Sequence, residues 1–226
     1  KPVKNDRPDM VKVKPANISG LIVSPKEVTN AEFREFDPTH DSRHEVGDFL
    51  QFSEEQRGAP VNGPDQPVVR VSWEQAKAYC AWLSKKRGAT FRLPTAAERL
   101  TVAIGNKPNA IRENLADAAF REIKSYKPWG APKSTVLPWR NADTNRNDGF
   151  RATAPVGSFV PDKNGLYDVA GNVREWTGTL DDAGRPIAMG CSFATHPKDV
   201  SPFAAVSYLP WQRVYDVGFR VVEEKK

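Results

Sequence analysis

A turn in the last third of the chain, residues 164–177, constrains what this sequence can fold into more than any other segment. Its two carboxylates, Asp168 and Glu175, are seven residues apart and flank a short run that contains Gly171 and Val173. Hard divalent cations such as Ca²⁺ take several oxygen ligands, from carboxylates and main-chain carbonyls alike, and this segment offers both kinds. The spacing is not that of an EF-hand loop, so a glycine turn between two strands, capped by Asp168, is the alternative.

The composition predicts a loop-rich chain of one large domain or two small ones. With 226 residues, of which 39% are hydrophobic, the chain can bury a sizeable core. Its nineteen prolines and fifteen glycines favour loops over a helix bundle. No apolar run approaches the roughly eighteen residues of a membrane-spanning helix, so we expect no membrane span. Two cysteines are too few for a disulfide framework.

Basic residues are concentrated at the ends of the chain, and the net charge is +5. No recognition helix, RNP motif or zinc finger accompanies this charge, so we expect no nucleic-acid partner. We predict that residues 1–17 form an extended arm and that residues 18–224 form a single domain.

Helix starts are marked by three capping boxes, at Thr29, Ser72 and Thr95, each followed three residues later by Glu or Gln. The residues that we expect to end these helices are Pro38, Gly88 and Gly105. Residues 21–23 are predicted to form a short strand, and residues 111–123 are loosely helical. Beyond residue 125 the pattern predicts mostly loops and short strands.

Five segments, in the same order along the chain, resemble motifs of the formylglycine-generating, sulfatase-modifying-factor family. The motifs are EVTNxxF at 26–33, PVxxVSWxxAxxYCxWL at 67–83, RLPTEAEWE at 92–100, GLYDMxGNVWEWT at 165–177 and GFR at 218–220. The resemblance covers about residues 20 to 222. It implies an α+β architecture, the variant C-type-lectin-like fold, with little regular secondary structure.

The resemblance also implies a calcium site in the turn described above. One family site uses the side chains at Asp168 and Glu175 with the main-chain carbonyls at Gly171 and Val173. All four positions match in this sequence. We therefore expect calcium there, at what we call the Asp168 site.

A second family calcium site, here called the Asp148 site, uses two side chains and two carbonyls. Asp148 and the carbonyl of Phe150 match its second half. For the first half we prefer Asn114 with the carbonyl of Leu115, because residues 114–117 resemble the ANLAD wording of a bacterial branch. Asn141 lies closer to Asp148 in sequence, so it is kept as the alternative.

The motif for copper binding is lost. The family binds copper through two cysteines five residues apart, and these positions fall on Thr195 and Val200. Neither side chain can bind Cu(I), which needs soft thiolate ligands, so we expect neither copper nor formylglycine generation. For any residual catalysis the candidates are Cys191, Ser192 and His196, and no catalytic role is assigned among them.

Two tryptophans of the motifs have become arginines. Arg99 stands at the tryptophan of EAEWE, and Arg174 stands at the first tryptophan of GNVWEW. The sequence therefore keeps the motifs of the scaffold while it changes the residues of the reactive pocket.

These observations favour a pseudoenzyme: a non-catalytic, calcium-stabilised binding or structural module. Its contact surface would be the loop surface, residues 190–217, which meets a protein or a small ligand. Aromatic residues are enriched in binding hot spots, and this segment has five of interest: Phe193, Phe203, Tyr208, Trp211 and Tyr215. The alternative is a metal-dependent oxidoreductase of the non-haem oxidase type, as in the pyoverdine-maturation branch. A bacterial, extracytoplasmic setting and membership of a larger protein or complex are further hypotheses.

Overall fold

The computed structural model describes residues 20–43, 58–104, 113–121 and 141–225. The arm predicted for residues 1–17 and the helix end predicted at Gly105 lie outside these residues. The helices are α1 (Asn30–Phe36), α2 (Trp73–Arg87), α3 (Ala96–Ile104) and α4 (Ala118–Arg121). The strands are β1 (Leu21–Val23), β2 (Phe91–Arg92), β3 (Arg174–Leu180), β4 (Pro186–Met189), β5 (Ala205–Ser207), β6 (Val217–Gly218) and β7 (Val222–Glu224). None of the described helices is long and apolar enough to cross a membrane.

The predicted capping boxes start the three longer helices. At α1 the Thr29 hydroxyl accepts the main-chain N–H of Glu32 at 3.1 Å, while the Glu32 carboxylate accepts the N–H of Thr29 at 2.8 Å. Ser72 makes the same reciprocal pair with Gln75 at α2. Gly88 ends α2 in the left-handed conformation, with φ of 68°. These predictions are confirmed because capping depends on residues only three apart.

The helix predicted from the weaker pattern over residues 111–123 is longer than the helix in the structure. Among the described residues of this stretch, only α4 is helical. It starts after Asp117, whose carboxylate accepts the main-chain N–H of Ala119 at 2.8 Å. Leu115 and Ala116 lie before this cap in non-helical backbone and are fully buried.

The strands of the described residues form two small sheets. In the first, β7 lies between β1 and β2 and is antiparallel to both. In the second, the order is β5-β4-β3-β6, and β3 pairs with β6 in parallel and with β4 antiparallel. The mixture of short strands and helices confirms the α+β class expected from the sequence.

The main core lies where α1 and α2 pack against the segments around β3 and β6. Phe33, Tyr79 and Phe219 make ring contacts with one another, at centroid distances from 5.4 to 6.1 Å. Trp176 of β3 is fully buried, and its indole N–H donates to the carbonyl of Val71 at 3.0 Å. Strand β3 is therefore fixed on one side by this core.

Because Gly218 has no side chain, β6 packs directly against the main chain of the segment that contains Val68. A Cβ atom at this position would lie 2.4 Å from the carbonyl oxygen of Val68. Because the atom in the way is main chain, it cannot be moved aside as a flexible side chain could.

We predict that Gly218→Ala lowers the free energy of unfolding by about 1–3 kcal/mol, the usual cost of overpacking. Gly20→Ala is the matched control, since a Cβ there meets nothing within 4 Å. Thermal denaturation of the two variants beside the wild type measures the difference. Equal melting temperatures for the two variants would contradict the close approach of β6.

Candidate functional site

Glu175 lies in β3 between two buried arginines, and we call these three residues the Glu175 cluster. Arg99 of α3 donates from Nε to Glu175 Oε2 at 2.7 Å, and Arg220 donates from Nη2 to Oε1 at 2.8 Å. All three side chains are at most 1% exposed. Burial by itself would raise the pKa of Glu175, but Arg220 and Arg99 outweigh it and hold the pKa below its usual value.

The same arginines hold the turn that precedes β3. Arg99 donates from Nη2 to the carbonyl of Val169 at 2.7 Å, and Arg220 donates to the carbonyl of Tyr167 at 2.9 Å. The turn is thus fixed by charged side chains from α3 and from the segment after β6. One nitrogen of Arg99, Nη1, is buried without a hydrogen-bond partner.

Asp168 is at the centre of that turn, in the left-handed conformation with φ of 55°. It is 3% exposed, and its Oδ2 accepts the main-chain N–H of Gly157 at 2.7 Å. Its other oxygen, Oδ1, is buried and has no partner. Burial raises the pKa of Asp168, against the opposing effect of the hydrogen bond from Gly157.

Glu113 is a neighbour of Asp168 that sequence reasoning missed. Its Oε2 is also buried without a partner. Burial, followed by the charge of Asp168, raises the pKa of Glu113 to about 8. No motif marks this glutamate in the sequence; the only available signal was an acidic residue directly before Asn114.

A third carboxylate, Glu27, is close to the same turn. Its oxygens accept the side-chain amide of Asn172 at 2.8 Å and the main-chain N–H of Val173 at 3.3 Å. Burial, and then the charges of Asp168 and Glu175, raise the pKa of Glu27 well above its usual value. The turn is therefore surrounded by carboxylates whose like charges would repel one another if all of them were ionised.

Gly171 joins the turn to the segment that contains Asn114. A Cβ at Gly171 would lie 2.6 Å from the carbonyl oxygen of Asn114, and that carbonyl accepts the N–H of Asn172 at 2.9 Å. The two calcium-binding motifs expected from the sequence are thus in contact through main-chain atoms. Val173, the other residue whose carbonyl is an expected calcium ligand, is fully buried.

At the Asp148 site the structure brings together the residues of the preferred assignment. Asp148 accepts the main-chain N–H of Leu115 at 3.3 Å and that of Phe150 at 2.9 Å. The Oδ1 of Asn114 is fully buried without a partner, whereas Asn141 is exposed. Burial raises the pKa of Asp148 to about 6.

Carboxylates alone do not complete either site. Within the described part of the chain, no group of three or more His, Cys, Asp or Glu side chains is arranged to hold a metal ion. A cation would therefore need carbonyl and water oxygens in addition, which is ordinary for Ca²⁺. The partnerless oxygens of Asn114 and Asp168 fit such a cation, while the two arginines on Glu175 do not leave its carboxylate free.

The three catalytic candidates have separate partners. The buried Cys191 thiol contacts the carbonyl of Ser201 at 3.9 Å, and burial raises its pKa. The Ser192 hydroxyl donates to Asp216 at 2.7 Å. His196 caps a 3₁₀ turn, because its Nδ1 accepts the N–H of Lys198 at 3.1 Å. The hydrogen bonds of these three residues do not form a nucleophile–base relay.

Arg174 and Asp216 form the polar centre of this region. Arg174 donates from Nη1 to Asp216 Oδ2 at 2.8 Å, the same oxygen that accepts the Ser192 hydroxyl. The Thr195 hydroxyl accepts the main-chain N–H of Ser192 at 3.0 Å, so one of the two positions expected for copper ligands serves as a turn cap. The arginine at a motif tryptophan was the sequence signal for this network.

The loop surface is divided between core and solvent. Tyr208 packs on Trp176 at a centroid distance of 5.6 Å, and Phe193 packs on Phe120 at 6.1 Å. The large hydrophobic residues that are exposed there are Phe203 (54%), Leu209 (43%), Trp211 (65%) and Tyr215 (37%). Three of the five aromatic residues named from the sequence are therefore open to a partner.

Comparison with known proteins places this arrangement in a family. The model of the sulfatase-modifying factor enzyme 1-like domain matches residues 4–225. A formylglycine-generating enzyme of Bos taurus is 38% identical over 118 residues, which are 52% of this chain and 28% of that protein. The inactive C-alpha-formylglycine-generating enzyme 2 of Bos taurus is 37% identical over 120 residues, 50% of this chain and 33% of that protein. The chain thus matches about a third of the length of these relatives.

Solved structures agree with the sequence matches. PvdO from Pseudomonas aeruginosa superposes with a TM-score of 0.61 at 26% identity, over 90% of this chain and 80% of that chain. Treponema denticola variable protein 1 has the same fold, with a TM-score of 0.60 at 20% identity over 90% of this chain and 84% of that one. The family expected from the motifs is confirmed: this chain belongs to the sulfatase-modifying factor enzyme 1-like domain family.

Proposed function

We propose that the chain is a non-catalytic binding module on the fold of this family, stabilised by calcium. The observation that carries the proposal is the hydrogen-bond network of Ser192, Asp216 and Arg174. It commits the serine hydroxyl to a carboxylate, and its ion pair, with Arg174 21% and Asp216 6% exposed, lies in the region where the family's copper site is expected. Thr195 and Val200 add no soft ligand, so this region lacks the chemistry that formylglycine formation requires.

The similarity to inactive relatives supports the proposal. The bovine protein described as inactive C-alpha-formylglycine-generating enzyme 2 is about as similar to this chain as the bovine enzyme itself, at 37% against 38% identity. The family therefore includes members named for a lack of the activity. Similarity at this level is compatible with a chain that keeps the fold without the reaction.

The loop surface supports a binding role. Phe203, Leu209 and Trp211 are large apolar side chains at 43% exposure or more, and they lie within ten residues of one another. Tryptophan and tyrosine residues dominate the energetics of many binding interfaces. We propose that Trp211 and Tyr215 contact the partner, a protein or a small ligand.

Calcium would contribute stability rather than reactivity. Asn114 and Asp148 would hold one ion with the carbonyls of Leu115 and Phe150, and Asp168 would hold the other. A bound divalent cation would offset the repulsion among the buried carboxylates and hold the loops that precede β3. Such sites fill best outside the cytoplasm, so we also propose an extracytoplasmic location.

A metal-dependent oxidoreductase is the second candidate. The likeness to PvdO, at 26% identity over most of both chains, favours it. In the described part of the chain, however, no cluster of three or more His, Cys, Asp or Glu side chains would hold a redox metal. The binding module is preferred because the hydrogen-bond network of Ser192, Asp216 and Arg174 occupies the region of the family's copper site.

The absence of copper chemistry can be measured directly. We expect the purified protein, incubated with Cu(I) and a cysteine-containing sulfatase peptide, to retain no stoichiometric copper and to form no formylglycine. Mass spectrometry of the peptide and elemental analysis of the protein give the two readouts, with an active member of the family as control. Formation of formylglycine would contradict the proposal, and stoichiometric iron or copper with oxygen consumption would favour the oxidoreductase.

The loop surface can be tested with a peptide selected from a display library against the wild-type protein. We expect Trp211→Ala to weaken its binding about tenfold or more, equivalent to about 1.4 kcal/mol. Val160→Ala is the matched control, because Val160 is an exposed apolar residue outside the loop surface. Selected peptides that bind all three proteins equally would contradict this site of contact.

Calcium should raise the melting temperature, and Asp148→Asn should remove part of that rise. Calcium at a hundred times its Kd adds about 2.7 kcal/mol per site, or roughly 5–10 °C for a domain of this size. Asp182→Asn, in an exposed loop, is the control. Calorimetric scans with calcium and with chelator make the comparison, and an Asp148→Asn response equal to that of the wild type would exclude the Asp148 site.

A further inference from the structure

Arg99 donates hydrogen bonds to two groups of the kind that bind a cation, the carboxylate of Glu175 and a main-chain carbonyl of the turn. It donates to Glu175 Oε2 at 2.7 Å and to Oε1 at 3.2 Å, and its Nη2 also donates to the carbonyl of Val169 at 2.7 Å. A carboxylate together with a carbonyl from the same turn is the kind of ligand pair that Ca²⁺ takes. With Arg220 on the other side, both carboxylate oxygens of Glu175 already accept hydrogen bonds from guanidinium groups.

Two other oxygens near the turn are free. Oδ1 of Asp168 and Oε2 of Glu113 are both buried and both lack a hydrogen-bond partner. Glu113 packs against the turn that contains Asp168, since a Cβ at Gly171 would lie 3.0 Å from the Cβ of Glu113. Buried carboxylate oxygens without partners are costly, and a shared cation would satisfy both.

The charge balance around the turn also leaves a place for a divalent ion. The carboxylates around the turn are Glu27, Asp168 and Glu175, which are buried, and Glu113, which is half-buried. The buried cations beside them are Arg99 and Arg220. The four acids outnumber the two arginines. Lys26, which is exposed, acts on Asp168 only from the surface. A divalent cation would be a counter-ion for the acids that the two arginines do not pair.

We propose that calcium at the Asp168 site is held by Asp168 and Glu113, and that Arg99 has removed Glu175 from the ligand set. The inference rests on the calcium binding proposed above. It assigns a ligand role to Glu113, which no motif marks, and a counter-ion role to Arg99. The remaining ligands would be main-chain carbonyls and water.

The test uses Glu113→Gln, which removes the charge and keeps the size of the side chain. Asp168→Asn is the positive control for the site, and Glu74→Gln, on the exposed side of α2, is the negative control. Isothermal titration with CaCl₂ gives the number and affinity of bound ions, and melting temperatures are measured in chelator and in calcium. We expect Glu113→Gln and Asp168→Asn each to weaken one calcium site at least tenfold.

The melting temperature in chelator separates the ligand role from a structural one. Gln keeps the size of Glu113 and adds no charge to the region, so we expect the calcium-free Glu113→Gln protein to melt at or above the wild-type temperature. A lower melting temperature in chelator, or a failure to fold, would instead make Glu113 the partner of the free Nη1 of Arg99 and would overturn the inference. Unchanged calcium affinity in Glu113→Gln or Asp168→Asn would overturn it as well. A wild-type protein that binds no calcium would refute the proposed calcium function itself.

Discussion

The carboxylate of Glu175, buried between Arg99 and Arg220, is the interaction on which the rest of this structure depends. It joins α3, β3 and the segment after β6, and the two arginines also hold the carbonyls of Tyr167 and Val169. Taking three charges out of water is costly, and the loss of Glu175 would leave two buried arginines without the carboxylate that they share. A fold with strands of only two to seven residues depends on such polar ties, because its sheets supply few main-chain hydrogen bonds.

The position of Glu175 in the sheet explains why so much charge is buried there. Glu175 and its neighbour Trp176 point to opposite faces of β3, and both faces are covered. Trp176 packs in the aromatic core, while Glu175 faces a polar interior that also contains Glu27 and Asp168. The interior next to β3 is thus apolar on the Trp176 face and ionic on the Glu175 face, and the ionic face has more acids than bases. That excess is what makes the surrounding turn a candidate for binding a cation.

The parts of this structure that were predictable from sequence are those set by local spacing. The caps at Thr29 and Ser72 involve partners three residues apart, and the motifs predicted the family and its α+β class. Contacts between distant segments were not predictable in the same way. Glu113 approaches Asp168 from fifty-five positions away in sequence, and no local pattern marks it. For the same reason, the closeness of Ser192 and His196 in sequence did not predict that their side chains have different hydrogen-bond partners.

The residues that build this fold are separate from those that would carry out its family's reaction, and this separation permits the loss of one without the other. Glu175 and Arg220 belong to motifs that the chain retains, and they tie β3 to the segment after β6. The Thr195 hydroxyl accepts the main-chain N–H of Ser192 and caps a turn, at a position where the reaction requires a thiolate. Replacing a copper ligand therefore removes soft-metal chemistry at little cost to packing, whereas replacing Glu175 would strand two buried cations. Under selection for a binding surface alone, the scaffold would be kept in this form and the pocket would change.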